Sequence, residues 1–276
     1  MKHKILPLFV MILVTVIILG SAKIYEGLHE YEVVEAYYDT AEQYVVIPSE
    51  PPVEITPEAS KEISAAEEIS VLEVPEMSIL EPSEPVETAP ISIDFDTLIA
   101  DCPDTIGWLY AVDGSVNLPV VQGSDNQYYL THLPNGNYSS GGSLFLDYLN
   151  SDDFQDEASF IYGHNMKNGT MLQPILAYQD QSHYDANPVM YLLTPEQDYK
   201  LELFAGILTG IESDVYTFNF DSVETKQAFI DGLVTRSTFT AQRIPAAEER
   251  IVCLSTCAYD YENARYVVFA ALTPIG

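Results

Sequence analysis

A stretch rich in proline and glutamate divides this chain and limits what the rest can fold into. Between Glu26 and Asp96 lie 19 acidic residues and one basic residue, Lys61, and eight of the 17 prolines fall between Pro48 and Pro90. Proline removes backbone donors and like charges repel, so such a segment is expected to stay extended. Pro48-Ser49-Glu50-Pro51-Pro52-Val53-Glu54 is echoed by Pro82-Ser83-Glu84-Pro85-Val86-Glu87, which is low complexity rather than a repeat architecture. The composition therefore predicts an acidic extended linker over residues 24–90, a stalk, with Glu62 to Val74 as a short helix candidate inside it. A partner-binding acidic segment is the alternative, with no motif behind it. The folded part must follow, over residues 91–276, where Trp108, most tyrosines and nearly all glycines occur.

Ahead of the linker, Ile5 to Ala22 carry no charge, about the minimum apolar length for a bilayer span. Lys2 and Lys4 precede the run, which predicts a cytoplasmic N-terminus and an exported remainder. Gly20-Ser21-Ala22 resembles a signal-peptide cleavage site, yet the run exceeds the usual signal core of ~7–15 residues. Residues 1–23 are thus expected to be an uncleaved membrane signal anchor, single-pass, with the folded domain extracellular.

Net charge narrows the partners. The chain carries −31 overall, and residues 97–276 alone hold 23 acidic and 7 basic residues. Such a surface repels phosphate backbones, so no nucleic-acid partner is expected. Three cysteines are too few for a disulfide scaffold, and with no C-x-x-C and few histidines no metal or cofactor is implied. The acidic residues Asp147, Asp152, Asp153, Asp156 and Glu157 match no calcium-loop spacing and read as a solvated surface.

Within 91–276, short apolar runs separated by turn signals predict a mostly β domain, barrel or sandwich, with added helices. Helices are expected at Phe95–Asp101 and Thr225–Thr235, and a helical turn at Asn126–Leu130. The strand candidates are Thr105–Val112, Val116–Gln122, Ser143–Tyr148, Ala158–Tyr162, Val189–Thr194, Asp198–Leu208, Arg250–Ser255 and Arg265–Leu272. Pro119 suggests an edge or a bulge.

Three residues could carry chemistry. Cys257 closes an apolar strand, and Arg265 opens the next one eight residues on. A hairpin would make them neighbours, so that the guanidinium favours a thiolate and can hold an oxyanion. His164 follows a strand and a glycine and could hand a proton to a leaving amine. The plain alternatives are a buried hydrophobe, a hydrogen-bonded turn histidine and a surface ion pair. Cys253 and Cys257 lie four apart on a strand, ~13 Å between Cα atoms, beyond the ~7 Å a disulfide allows, so Cys253 reads as strand filler.

Leu254-Ser255-Thr256-Cys257, the Arg265-Tyr266-Val267-Val268 strand and Tyr162-Gly163-His164-Asn165-Met166 together resemble the sortase family, class B most closely. The likeness runs from about Phe95 to Leu272 and includes Ser124-Asp125-Asn126-Gln127-Tyr128-Tyr129-Leu130, Leu144-Phe145-Leu146-Asp147-Tyr148 and the helix around Phe229. One departure is Cys253, where the family usually has threonine. The resemblance implies a closed β-barrel with an N-terminal helix and a helix inserted before the catalytic-cysteine strand. It implies a cell-surface cysteine transpeptidase that cleaves a sorting signal after threonine. Cys257 would be the nucleophile, His164 the acid and base, and Arg265 the oxyanion and substrate ligand. Asn126, Leu130, Tyr162 and Ser255 match substrate-groove positions. The implied partners are sorting-signal-bearing surface proteins and a peptidoglycan precursor or cell-wall amine. A thiol endopeptidase with water as acceptor, or a noncatalytic stalked binding module, are the alternatives.

Overall fold

The computed structural model describes residues 5–47 and 87–276. Its first element, helix α1 (Ile5–Ala41), is followed by a 3-10 turn (Glu42–Tyr44) and strand β1 (Val45–Val46). Strand β2 (Ser92–Ile93) and helix α2 (Phe95–Asp101) resume the chain. The barrel strands are β3 (Thr105–Ala111), β4 (Asn117–Val121), β5 (Leu144–Leu146), β6 (Ala158–Tyr162), β7 (Val189–Leu193), β8 (Asp198–Gly210), β9 (Ile251–Cys257) and β10 (Ala264–Ile275). Helix α3 (Gln181–Ala186), after a 3-10 stretch Gln173–Gln179, precedes β7, and α4 (Val223–Arg236) lies between β8 and β9.

The eight strands close in the order β10-β8-β7-β3-β4-β5-β6-β9. Closure leaves no edge, which is how a sheet of this size hides its unpaired backbone groups. Six of the neighbour pairs are antiparallel, while β4–β5 and β6–β9 are parallel. Pro119 lies outside the two residues of β4 that pair with β5, and β3 shifts register against β4 between Thr105 and Gly107. A bulge accompanies this proline, then, within a strand paired on both sides.

Strand alternation sorts the wall into two faces. Val252 and Leu254 of β9 point into the main core with Val268 and Ala270 of β10. Ile251 and Cys253 point outward with Val267 and Phe269, where Ile230 and Leu233 of α4 cover them. The same parity puts Ser255, Cys257 and Arg265 on the outer face. Helix α4 begins with a reciprocal capping box between Ser222 and Thr225, which holds its first turn in place. It shields Cys253, whose thiol burial pushes well above its ordinary pKa.

The N-terminal region departs from expectation. Composition predicts an extended segment from residue 24, yet α1 runs unbroken to Ala41 and docks on the barrel. The reason is patterning. Tyr31, Val34, Tyr38 and Ala41 recur at helical spacing, while Glu32, Glu35 and Asp39 face solvent. Val34 is fully buried in the main core, and Ala41 and Tyr44 join Leu98, Trp108 and Ile275 in a second cluster. Tyr38 Oη donates to Gly142 O at 2.9 Å, and Tyr44 Oη to Asp101 Oδ2 at 2.6 Å. Strands β1 and β2 pair through Val45↔Ile93 and Val46↔Ser92. The chain thus leaves toward the acidic segment and returns from it at one place on the barrel. The connection between the apolar run and the barrel is α1. Residues 48–86, Glu62 to Val74 included, are outside the described set. The side chains of residues 5–12 are also outside it, and among the described residues no helix is long and apolar enough to cross a membrane.

Candidate active site

The parallel pairing of β6 with β9 aligns the two segments that carry the chemistry. Tyr162 is level with Ser255, and continuing that register by two residues brings His164 level with Cys257. The alignment is pinned past the last paired residues. Gly163 N donates to Ser255 O at 3.2 Å, Thr256 Oγ1 to Gly163 O at 2.8 Å, and Asn165 Nδ2 to Cys257 O at 2.8 Å. Gly163 is required by space: a Cβ there would sit 2.5 Å from Leu144 Cδ2 and 2.8 Å from Leu172 Cγ. On the other side of β9, Arg265 is the direct antiparallel partner of Cys257. Cys257 is half-buried at a strand end, unlike fully buried Cys253 four residues earlier.

His164 Nε2 lies 2.7 Å from Leu130 O. A carbonyl only accepts, so Nε2 carries the hydrogen and Nδ1 is the nitrogen left for proton exchange. Arg265 Nη1 donates to Ala264 O at 3.0 Å, which holds the guanidinium along the strand end. Tyr216 adds its hydroxyl at 3.0 Å from Ser255 Oγ. Burial raises the Tyr216 pKa, partly offset by Ser255 and the nearby Arg265.

These groups line one cavity of about 540 Å³ on the outer face of the barrel, a size suited to a short peptide. All seven residues singled out in the sequence, Asn126, Leu130, Tyr162, His164, Ser255, Cys257 and Arg265, border it. Apolar walls come from Phe145, Leu149, Ile211 and Phe218. One recess with apolar walls thus holds a thiol, an imidazole hydrogen-bonded through Nε2 and a guanidinium. Such a set suits covalent acyl transfer with oxyanion stabilisation.

Composition missed part of the site. In the sequence Asp147 reads as one of an acidic surface group, but it is 3% exposed and borders the cavity. Its place directly after the apolar run Leu144–Leu146 was the available signal. Asp152 and Asp153 are exposed, while the other two members hold loop structure. Asp156 accepts from Asn150 Nδ2 and Ser151 N, and Glu157 from Phe220 N. Among the described residues no cluster of three or more His, Cys, Asp or Glu side chains is arranged to hold a metal ion. Tyr216, Ile211 and Phe218 come from the stretch between β8 and α4, which no pattern connected to the cysteine. His132 and His183 pack on Tyr128 and Tyr178, away from the thiol. The other two cysteines are unpaired and buried, and Cys102 Sγ sits 3.3 Å from Tyr37 Oη.

No protein-family model matches the chain. Among curated proteins, Sortase B of Listeria monocytogenes is 33% identical over 167 residues, covering 60% of this chain and 68% of the relative. Among solved structures, a Staphylococcus aureus sortase B–substrate complex aligns with a TM-score of 0.63 at 27% identity, covering 66% of this chain and 85% of that one. Sortase B of Clostridium perfringens aligns with a TM-score of 0.61 at 30% identity, over 65% of this chain and 99% of that one.

Proposed function

The chain belongs to the class B sortases, which are cysteine transpeptidases, and on that premise we propose that it cuts a C-terminal sorting signal after a threonine and transfers the exported protein to a cell-wall amine. The observation that carries this reading is the meeting of Cys257, His164 and Arg265 in one peptide-sized cavity. In the proposed first step the Cys257 thiolate attacks the threonine carbonyl carbon. The oxygen gains the negative charge and Arg265 holds it. His164 then gives a proton from Nδ1 to the departing amine as the C–N bond breaks and a thioester remains. In the second step an incoming amine attacks the thioester, His164 takes its proton, and the Cys257 thiolate leaves. A thioester suits this because an amine nucleophile can compete with water for it. Asn126, Leu130, Tyr162 and Ser255 form the wall against which the signal peptide lies.

The domain division we propose keeps an anchor over residues 1–23 and a catalytic unit over residues 91–276, to which the docked end of α1 is added. The uncharged run Ile5 to Ala22 lies within α1, and Lys2 and Lys4 precede it. This supports a single-pass anchor with the N-terminus in the cytoplasm and the barrel outside. Because Val34, Ala41 and Tyr44 belong to the folded core, the active enzyme includes the docked end of α1.

The test uses the whole chain in detergent with a library of threonine-containing signal peptides, with and without glycine or diaminopimelate as amine. Intact-mass spectrometry is expected to show an acyl adduct that Cys257→Ala abolishes, and an amine-joined product. An adduct that only hydrolyses in every amine tested would replace the transferase reading with a protease. No adduct, together with a Cys257 inert to alkylation, would overturn the catalytic reading.

A further inference from the structure

We propose that Asp147 is the positioning residue of the peptide groove, locking the Asn126 side chain so that it presents an N–H donor to the groove. This rests on the groove assignment made above. Asp147 is 3% exposed at the end of β5, and its carboxylate is held from several sides. Oδ1 accepts Leu149 N at 2.9 Å. Oδ2 accepts both Asn126 Nδ2 at 2.9 Å and Tyr162 Oη at 3.0 Å. The backbone oxygen of Asp147 takes Gln122 Nε2 at 2.9 Å, which ties the residue to β4.

The two ends of the Asn126 amide are then decided by chemistry. Nδ2 faces a carboxylate, which accepts, and Oδ1 takes Tyr148 N at 3.1 Å, which donates. Flipping the amide would set oxygen against carboxylate and NH₂ against N–H, two repulsive contacts in a half-buried site. The orientation of the amide is therefore fixed, with Oδ1 turned to Tyr148 N. Its second N–H has no partner among the described residues, and Asn126 borders the cavity. The group it recognises is a carbonyl oxygen, from the peptide backbone or a side-chain amide. Tyr162 is held the same way. Burial, reinforced by the Asp147 charge, raises its pKa and keeps its hydroxyl a donor toward that carboxylate.

The experiment is a double-mutant cycle on the full chain, using the library peptide that acylates Cys257 fastest. Asn126→Ala and Asp147→Asn are each expected to raise KM about tenfold, the value of one good hydrogen bond, with kcat within about twofold. The cycle is run in a Tyr162→Phe background, which removes the hydroxyl that Asp147 also holds, and there the double variant is expected to be no worse in KM than Asn126→Ala alone, because Asp147 acts on this contact through Asn126. A merely structural Asp147 would instead lower kcat and add its full effect in the Asn126→Ala background, overturning the inference. If Asn126→Ala leaves KM unchanged, the groove assignment fails and the inference with it. If Asn126→Ala raises KM and Asp147→Asn does not, the inference alone fails. Should Asp147→Asn not fold, the unmutated protein still decides. The Asn126 side-chain amide is expected to show a peptide-free NMR order parameter near the rigid value of about 0.85, and a value under about 0.6 would overturn the lock.

Discussion

Gly163→Ala tests the site's construction most directly. The added Cβ would lie 2.5 Å from Leu144 Cδ2 and 2.8 Å from Leu172 Cγ, and both leucines are fully buried. Neither end can swing into solvent, so the strain must be taken up by the core or by the Gly163 backbone. Overpacking of this kind costs about 1–3 kcal/mol. In a domain of this size that lowers Tm by roughly 2–12 °C. The same backbone accepts Thr256 Oγ1 and donates to Ser255 O, so its displacement moves His164 relative to Cys257. A shift near 1 Å is worth about a hundredfold in rate. The assay is thermal melting of the full chain beside the single-turnover rate of acyl-adduct formation. Leu144→Val in the Gly163→Ala chain should make room and restore part of the rate. An unchanged Tm with an unchanged acylation rate would refute the packing argument.

Further outcomes are expected. Iodoacetamide at pH 8 should label Cys257 in the folded protein, while buried Cys102 and Cys253, whose pKa values burial raises, should react only after denaturation, as peptide mapping would show. Val34→Ala should cost about 1–3 kcal/mol in denaturant unfolding, since Val34 is fully buried where α1 meets Gly141. Replacing residues 48–86 with a short turn should leave both Tm and acylation rate unchanged, because β1 and β2 already hold the two ends together. Arg265→Lys should lower kcat for acylation by about tenfold or more, because a single ammonium cannot reproduce the guanidinium fork, with the melting curve little changed.

The barrel strands and the helices at Phe95–Asp101 and before β9 were readable because their signals are local. Short apolar runs bounded by turn signals mark the strands, and helical spacing through Ala228, Phe229 and Leu233 marks α4. Cys257 and Arg265 were readable as a pair because a hairpin joins them, and the observed pairing is direct. The docking of α1 was obscured. Its acidic residues dominate composition, while the stripe Tyr31, Val34, Tyr38 and Ala41 shows only when spacing is counted. The short helix Gln181–Ala186 and the two-residue strands β1 and β2 are too brief to carry a periodic signal.

By itself the sequence determined where the short apolar runs and their turns lie, where the N-terminal apolar run and the acidic segment fall, and that one cysteine ends a strand beside an arginine. These follow from local chemistry along the backbone. Tertiary structure decided the rest, because it depends on contacts between residues far apart in the chain. The parallel register of β6 with β9 sets His164 beside Cys257 across 93 residues. Closure of the barrel puts Ser255, Cys257 and Arg265 on an outer face that α4 covers at Cys253. Burial turned Asp147 from one acidic residue among many into the carboxylate on which Asn126 and Tyr162 are hung. No pattern along the chain states solvent exposure at that level, because exposure is a property of what the other elements leave uncovered.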